Sequence, residues 1–442
     1  MGSLAASLAD ELPGVTLADY HEGASSLSHP SMFPVFSVSN YRLLLILFLL
    51  TFSPLRGQEL EDPNQPSSPE VLAEVERLVD DLSGESYDAR EAAGRRLVNI
   101  GEAAWERVFE ASQSASDLEL RYRASELLKT LEKKKYSPIR IWEEHRDIVW
   151  AVAFSPDGRF LASGGGGQEL NGNWTEGADF SLRIWNMKDG SLHKKLDGHK
   201  NAVTSIAWFA DSSRLVSSSS DNTAKIWDVA AGTETATLLG HSDRVSGVAV
   251  SEDGSLIITG SWDKTCILYD AKTGKAVKQL DPPHYGRIWS VALSPDGKTA
   301  AVAGDHPHIR LWDLEKLTVK KELQGHSQAA VALAFSAKGD RLLSGGWDNS
   351  AIVWDLEKGM PAKVLPGHGG RVEGVAISAD GKRALTGSLD KKVRLWNVET
   401  GELLQTYDGH TGSIGKVAMS KNGKYAVSGS WDHSVRLWPL PK

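Results

Sequence analysis

The sequence predicts an all-β seven-bladed β-propeller preceded by a small α-helical segment, and three regularities carry that expectation. A histidine recurs at His145, His199, His241, His284, His326, His368 and His410, with spacings of 54, 42, 43, 42, 42 and 42 residues. A second clock runs inside the units. Asp221, Asp263, Asp348, Asp390 and Asp432 each follow their histidine by 22 residues, and six residues later stand Trp227, Tyr269, Trp354, Trp396 and Trp438. A period near 42 with this internal order marks propeller blades. The third regularity lies upstream, where residues 67–135 follow a helical period instead.

Composition sets outer limits on function. A chain of 442 residues is long for one compact core but suits a repeat fold or two domains. Charged residues are 24% and apolar ones 41%, a globular balance that excludes wholesale disorder. The net charge of −8 argues against a bulk nucleic-acid binder, so no nucleic-acid partner is expected. A lone cysteine, Cys266, excludes a disulfide framework and any cysteine-based zinc cluster. The 42 glycines signal many turns, and 15 tryptophans signal one that recurs by rule.

In chain order, residues 1–57 read as a leader. A basic residue, Arg42, precedes the apolar run Leu43 to Phe52 and the polar exit Ser53, Pro54, Arg56 and Gly57. Ten such residues span about 15 Å as a helix, half the hydrocarbon core, so no stable membrane span is expected in the mature chain. The pattern reads as a secretory signal peptide with translation starting at Met32, which implies export to a periplasm or extracellular space and cytoplasmic residence only if the leader stays uncleaved. Residues 58–66 have linker composition.

Four amphipathic helices follow. Ser67 with Glu70 forms a capping box, and Val71, Val75, Leu78 and Leu82 line one stripe. Asp88 to Ile100 is a second helix stopped by Gly101, and Ala103 to Ala111 a third. Ser116 with Glu119 opens the fourth, which ends on Lys133, Lys134 and Lys135, a solvated terminus compatible with the helix dipole. Four short helices in this span resemble a HEAT-like repeat pair. The alternative is a plain helical bundle, and both readings imply packing rather than chemistry.

From residue 139 to 442 the chain resembles the WD-repeat β-propeller family. The strings that carry the likeness are Ile184-Trp185-Asn186, Ile226-Trp227-Asp228, Leu311-Trp312-Asp313, Val353-Trp354-Asp355 and Leu395-Trp396-Asn397. The resemblance implies seven four-stranded blades around a channel. It also implies a buried hydrogen-bonded chain in each unit, joining the His, a Ser or Thr on the second strand, the turn Asp and the third-strand Trp. By position the chain is complete as His199, Ser217, Asp221 and Trp227, and as His326, Ser344, Asp348 and Trp354. It is complete again as His368, Thr386, Asp390 and Trp396, and as His410, Ser428, Asp432 and Trp438. His and Asp beside Ser invites comparison with a hydrolase triad, but a set repeated blade after blade and buried against a Trp reads as structure. No enzyme activity, cofactor or metal is expected.

The departures are informative. The fourth unit has Val302 and His306 where Ser or Thr and Asp belong, so His284 should lack partners and that blade be held less tightly. The third has Tyr269 for Trp, and the first carries an insertion from Gly164 to Ala178. The chain stops without an outer strand for its last blade, and Ile139 to Trp142 should supply it and close the ring.

A propeller has no intrinsic chemistry, so function is sought on its faces. The resemblance puts partner contacts three and five residues after each His and just before each turn Asp. The large residues there are Ile148, Trp150, Arg244, Trp262, Arg287, Trp289, Trp347, Arg371, Glu373, Leu389 and Trp431. Of these, Trp150, Arg244, Trp262, Arg287, Trp289, Trp347, Arg371 and Trp431 are the partner-binding candidates, since Trp and Arg dominate binding hot spots. The expected function is a non-enzymatic scaffold presenting this rim to a protein or peptide. The alternative is extracytoplasmic carbohydrate or small-ligand binding on the same tryptophans.

Overall fold

The computed structural model describes residues 68–170, 173–175, 177–280 and 283–441. The first described elements are helices α1 (Pro69–Asp81), α2 (Tyr87–Ile100), α3 (Glu102–Ser114) and α4 (Leu118–Lys135). Their inward stripes meet in one core built on Val75, Val79, Leu97, Val108, Ala124 and Leu131. Two caps sit one residue later than the sequence patterns suggest. Ser68 accepts from the Val71 amide at the start of α1, and Asp117 accepts from Glu119 at the start of α4. Ser and Asp serve equally at this position, so a pair such as Ser67-Ser68 or Ser116-Asp117 leaves the choice to local geometry. Gly101 ends α2 at φ 77°, a left-handed turn that favours glycine.

Seven four-stranded antiparallel sheets follow. Strand β1 (Arg140–Trp142) comes first and belongs to the last blade. Blade 1 then runs β2 (Val149–Phe154), β3 (Phe160–Gly165), β6 (Leu182–Asn186) and β7 (Leu192–Leu196). Its insertion folds into a small hairpin of β4 (Gln168–Leu170) and β5 (Asn173–Thr175). The other blades repeat the order, with strands a, b, c and d counted from the channel outward.

Strand a alternates Val, Ile and Ala with small residues, and strand b is buried along almost its whole length. Adjacent blades share cores, each seated on the aromatic of strand c. Trp227 packs with residues of blade 1, and Trp354 with those of blade 4. The ring closes as expected. β1 pairs antiparallel with Val435–Pro439, Arg140 opposite Leu437 and Trp142 opposite Val435. Trp142 is 4% exposed, and its indole N–H donates to the Gly190 carbonyl of blade 1 at 2.8 Å.

Candidate functional site

The d–a and b–c connections share one rim, and the repeated hydrogen-bond chain holds them together. In blade 2, Trp227 Nε1 donates to Ser217 Oγ (2.8 Å), which lies 2.8 Å from His199 Nε2, and His199 Nδ1 lies 2.8 Å from Asp221. With the indole donating, the hydroxyl gives its proton to Nε2, and Nδ1 donates to the carboxylate. The aspartate also accepts from the Lys200 and Thr223 amides, tying both loops to one side chain. Burial opposes ionisation of Asp221, but the His199 and Thr223 hydrogen bonds outweigh it and hold the carboxyl well below its usual range.

The same chain stands in blade 5 through His326, Ser344, Asp348 and Trp354. Blade 7 builds it from His410, Ser428, Asp432 and Trp438. In blade 6, His368, Thr386, Asp390 and Trp396 are joined by Arg394, which also reaches His368 and Asp390. Blade 3 completes the His241, Thr259 and Asp263 links, while Tyr269 donates to the Leu239 carbonyl instead of to the hydroxyl. In blade 1 an arginine changes the wiring. Arg183 donates to His145 Nδ1 at 2.8 Å and pairs with Asp179 at 2.9 Å. Nδ1 must then accept, so Nε2 carries the proton and donates to Ser163.

Blade 4 breaks the pattern. His284 is 7% exposed, and neither of its ring nitrogens finds a hydrogen-bond partner among the described residues. Burial, with Arg310 close by, pushes its pKa down to about 4. Asp305, one position before His306, turns to the rim instead. It accepts from Trp289 Nε1 at 2.8 Å and pairs with Arg287 at 2.9 Å.

A bulge sets the rim residues apart from the sheets. In every blade the a–b pairing skips the residue five after the His, as between Val149 and Ala151, Ile288 and Ser290, and Val372 and Gly374. The skipped residues are Trp150, Thr204, Ser246, Trp289, Val331, Glu373 and Gly415. A bulge re-aims a side chain out of the pleat, and here it brings Trp150, Trp289 and Glu373 to the channel mouth, while Thr204, Ser246 and Val331 stay buried.

The candidates meet in a chain of contacts around that mouth. Trp431 stands edge-on to Trp150 (5.4 Å), and Arg244 lies 5.7 Å from Trp150 and 4.8 Å from Trp262. Trp262 meets Trp289 (4.9 Å) under Arg287, and Trp289 meets Trp347 (5.6 Å). Arg371 covers Trp347 at 4.1 Å, and Trp347 Nε1 donates to Glu373 at 3.1 Å. All five tryptophans are half-buried, so they neither fill the blade cores nor stand free in solvent. Ile148 is a correction: at 1% exposure it belongs to the core, because its strand has already turned inward.

Two charged residues complete the mouth. Glu373 keeps part of its surface open, yet dense surroundings push its pKa up against the pull of Arg371, Trp347, Lys416 and Arg244. Lys416 is pushed down by its surroundings, with Glu373 opposing. Sequence reasoning missed Lys416, although a signal existed: the equivalent positions hold Ala151, Ser205, Gly247, Ser290, Ala332 and Gly374. At the opposite end, a concavity of 680 Å³ lies between blades 7 and 1, lined by Phe154, Phe160, Met187 and Tyr425 among others.

Fold, repeat chain and rim together define a propeller of the WD type. The sequence matches WD40 (WD domain, G-beta repeat) seven times, over residues 136–186, 190–228, 232–270, 274–313, 317–355, 359–397 and 401–439, and the chain belongs to this family. It is similar to nuclear distribution protein nudF 2 of Penicillium rubens, 34% identical over 18% of this chain and 14% of the relative. A U3 small nucleolar RNA-associated protein 15 homolog of Xenopus tropicalis is 29% identical over 48% of this chain and 38% of its own length. Protein HIR1 of Kluyveromyces lactis is 33% identical over 19% and 10% respectively. The matches thus span well under half of each relative.

Family and relatives point to an interaction scaffold, in a family of generally non-enzymatic propellers. They correct the expectation of export, since one relative is named a nuclear distribution protein and another for its association with the U3 small nucleolar RNA, neither an exported protein by name. A ten-residue apolar run discriminates poorly, being as long as an ordinary core segment. The run, the cleavage site and Met32 lie outside the described residues. The carbohydrate reading loses the exported setting that made it plausible. Among the described residues no helix is long and apolar enough to cross a membrane.

Proposed function

We propose that this protein is a scaffold that holds a protein or peptide partner at the channel mouth, through Trp150, Arg244, Trp262, Arg287, Trp289, Trp347, Arg371 and Trp431. The observation that supports this most is the bulge. Seven units spend a register defect on one position, and two of them place a tryptophan there, in contact with three more. Tryptophan and arginine contribute most where they are pre-ordered, and the Arg244, Arg287 and Arg371 stacks order both. The test is quantitative co-purification from a nuclear extract by the wild type, Trp289→Ala and a blade-edge control, Leu403→Ala. Loss of the same partners with Trp289→Ala alone supports the rim. Equal recovery by all three places the partner elsewhere.

A further inference from the structure

The mouth carries more positive charge than it can neutralise. Arg287 is matched by Asp305, which leaves three cations, Arg244, Arg371 and Lys416, against two carboxylates, Glu373 and the Asp243 beside Arg244. That surplus stands out on a chain of net charge −8. Two enclosed donors there lack an acceptor among the described residues: Arg244 Nε and Trp262 Nε1. Lys416 has no ion pair within 4 Å among them either, although six other blades keep small residues at its position. Buried donors without acceptors are costly, and a cluster of them around an opening fits a ligand that brings acceptors.

We infer that the mouth binds an extended acidic peptide, a glutamate or aspartate carboxylate of which enters between Arg244, Arg371 and Lys416. This rests on the rim reading above and adds the chemistry of the partner. A carboxylate supplies two oxygens to the guanidinium fork and the ammonium, and it can accept from the Trp262 indole. The apolar ring edges flank the peptide backbone. Stacked nucleobases fit less well, because the faces of Trp262 and Trp347 are already covered by Arg244, Arg287 and Arg371.

The test is fluorescence anisotropy on the full chain with labelled dodecapeptides that carry three consecutive Glu, Gln or Lys in a Gly-Ser frame, and with a labelled oligouridylate. The Glu peptide should bind at least about tenfold more tightly than the Gln peptide, and the Lys peptide should not bind. Lys416→Met, nearly isosteric, should remove about tenfold for the Glu peptide only. Arg371→Gln, at an exposed position, gives the same readout should Lys416→Met fail to fold. Equal binding of Glu and Gln peptides, weakened by Trp289→Ala, overturns the acidic ligand while leaving the rim reading intact. Failure of every peptide at about 1 mM overturns the acidic ligand, while the rim reading stands or falls on the co-purification with Trp289→Ala. Oligouridylate binding that the Glu peptide cannot displace, and that Lys416→Met abolishes, assigns the mouth to RNA and overturns the proposal.

Discussion

Asp348 and its neighbour Trp347 show how adjacent residues divide fold from function. Asp348 accepts from His326 Nδ1 at 2.9 Å and from the Ser327 amide, so Asp348→Ala strands a buried imidazole and loosens a loop. The expected loss is roughly 1–3 kcal/mol in thermal or urea unfolding, with partner binding weakened no further than that instability explains. Trp347→Ala should keep a higher melting temperature than Asp348→Ala but weaken the complex by about 2 kcal/mol or more if the ring is an anchor. The reverse ranking would make Trp347 a core residue. His284 offers a second measurement at this scale. Its pKa is about 4 in the folded protein against an ordinary value near 6.5, so the unfolded chain takes up a proton that the native state refuses. Stability is therefore lost as pH falls from about 7 towards 4, by about 3 kcal/mol in all. His284→Leu should remove that dependence, so the variant gains about 2 kcal/mol relative to wild type between pH 7 and 5. Parallel pH profiles would show that His284 titrates normally. The conserved spacing made the four-member chains readable from sequence, because each side chain recurs at one offset. The contacts of Arg183 and Arg394 with their histidines were not readable that way, since arginine also stands at the same offset as Arg310 and Arg436 without making them.

At the scale of the blade, the b–c turn and strand a carry the information. The turns of blades 2, 3, 5, 6 and 7 place the residue after the Asp at positive φ, as at Asn222 (69°) and Asn349 (64°), while the Asp accepts the amide two residues on. That makes a tight corner, and it fixes the residue before the Asp at the mouth. Blade 4 follows another course, since Val302 offers no hydroxyl to His284 or Trp312 and Asp305 is engaged with the rim. Its weakness was legible from the two mismatched offsets. The turn of Asp305 toward Trp289 was not, because a shift of one residue exchanges a network role for a rim role. Rebuilding the chain should be stabilising. In Val302→Ser with His306→Asp, the serine can link Trp312 to His284 and the new carboxylate can accept from Nδ1. We expect a gain of roughly 1–3 kcal/mol and a His284 pKa raised towards that of its counterparts, read by calorimetry and by NMR titration of the ring. Unchanged stability with both substitutions in place would mean that a buried water or backbone group already satisfies His284. The bulges, by contrast, leave no trace in hydrophobic periodicity. They shift the alternation by one residue in every unit alike, and a defect common to all repeats looks like the pattern itself.

For the whole molecule, the decisive element is the one that comes first in the ring and completes it. β1 adds the outer strand to blade 7, so residues nearly three hundred positions apart are laddered together, beginning with the Ile139 amide on the Leu437 carbonyl at 2.7 Å. Trp142 fastens the same strand to blade 1 through Gly190 and lies 5.7 Å from the Trp185 ring. The seam was legible because Ile139 to Trp142 precede His145 just as an outer strand precedes each later histidine. The role of Trp142 in bridging two blades was not, since a tryptophan outside the repeat offsets has no counterpart to compare. Upstream, Tyr136 packs edge-on against Tyr407 on the outer strand of blade 6, 6.1 Å between ring centres, and joins the core shared by blades 6 and 7, one blade away from the seam. Proteolysis in the stretch from Lys133 to Pro138 should release a propeller that keeps β1 and melts in one transition. A chain beginning at Arg146 should not behave so. Without β1, the strand Val435–Pro439 becomes an open edge able to pair with other molecules, and the blade 1–blade 7 core loses Trp142. Trp142→Ala alone, in the full chain, should cost about 3–5 kcal/mol as a large-to-small change at a buried site. The comparison is melting temperature and elution volume for chains starting at Ser137 and at Arg146. A lower melting temperature and aggregation in the shorter chain are expected. Equal melting of the two as monomers would mean that the ring closes by blade packing alone and that β1 is an ornament on its outer edge.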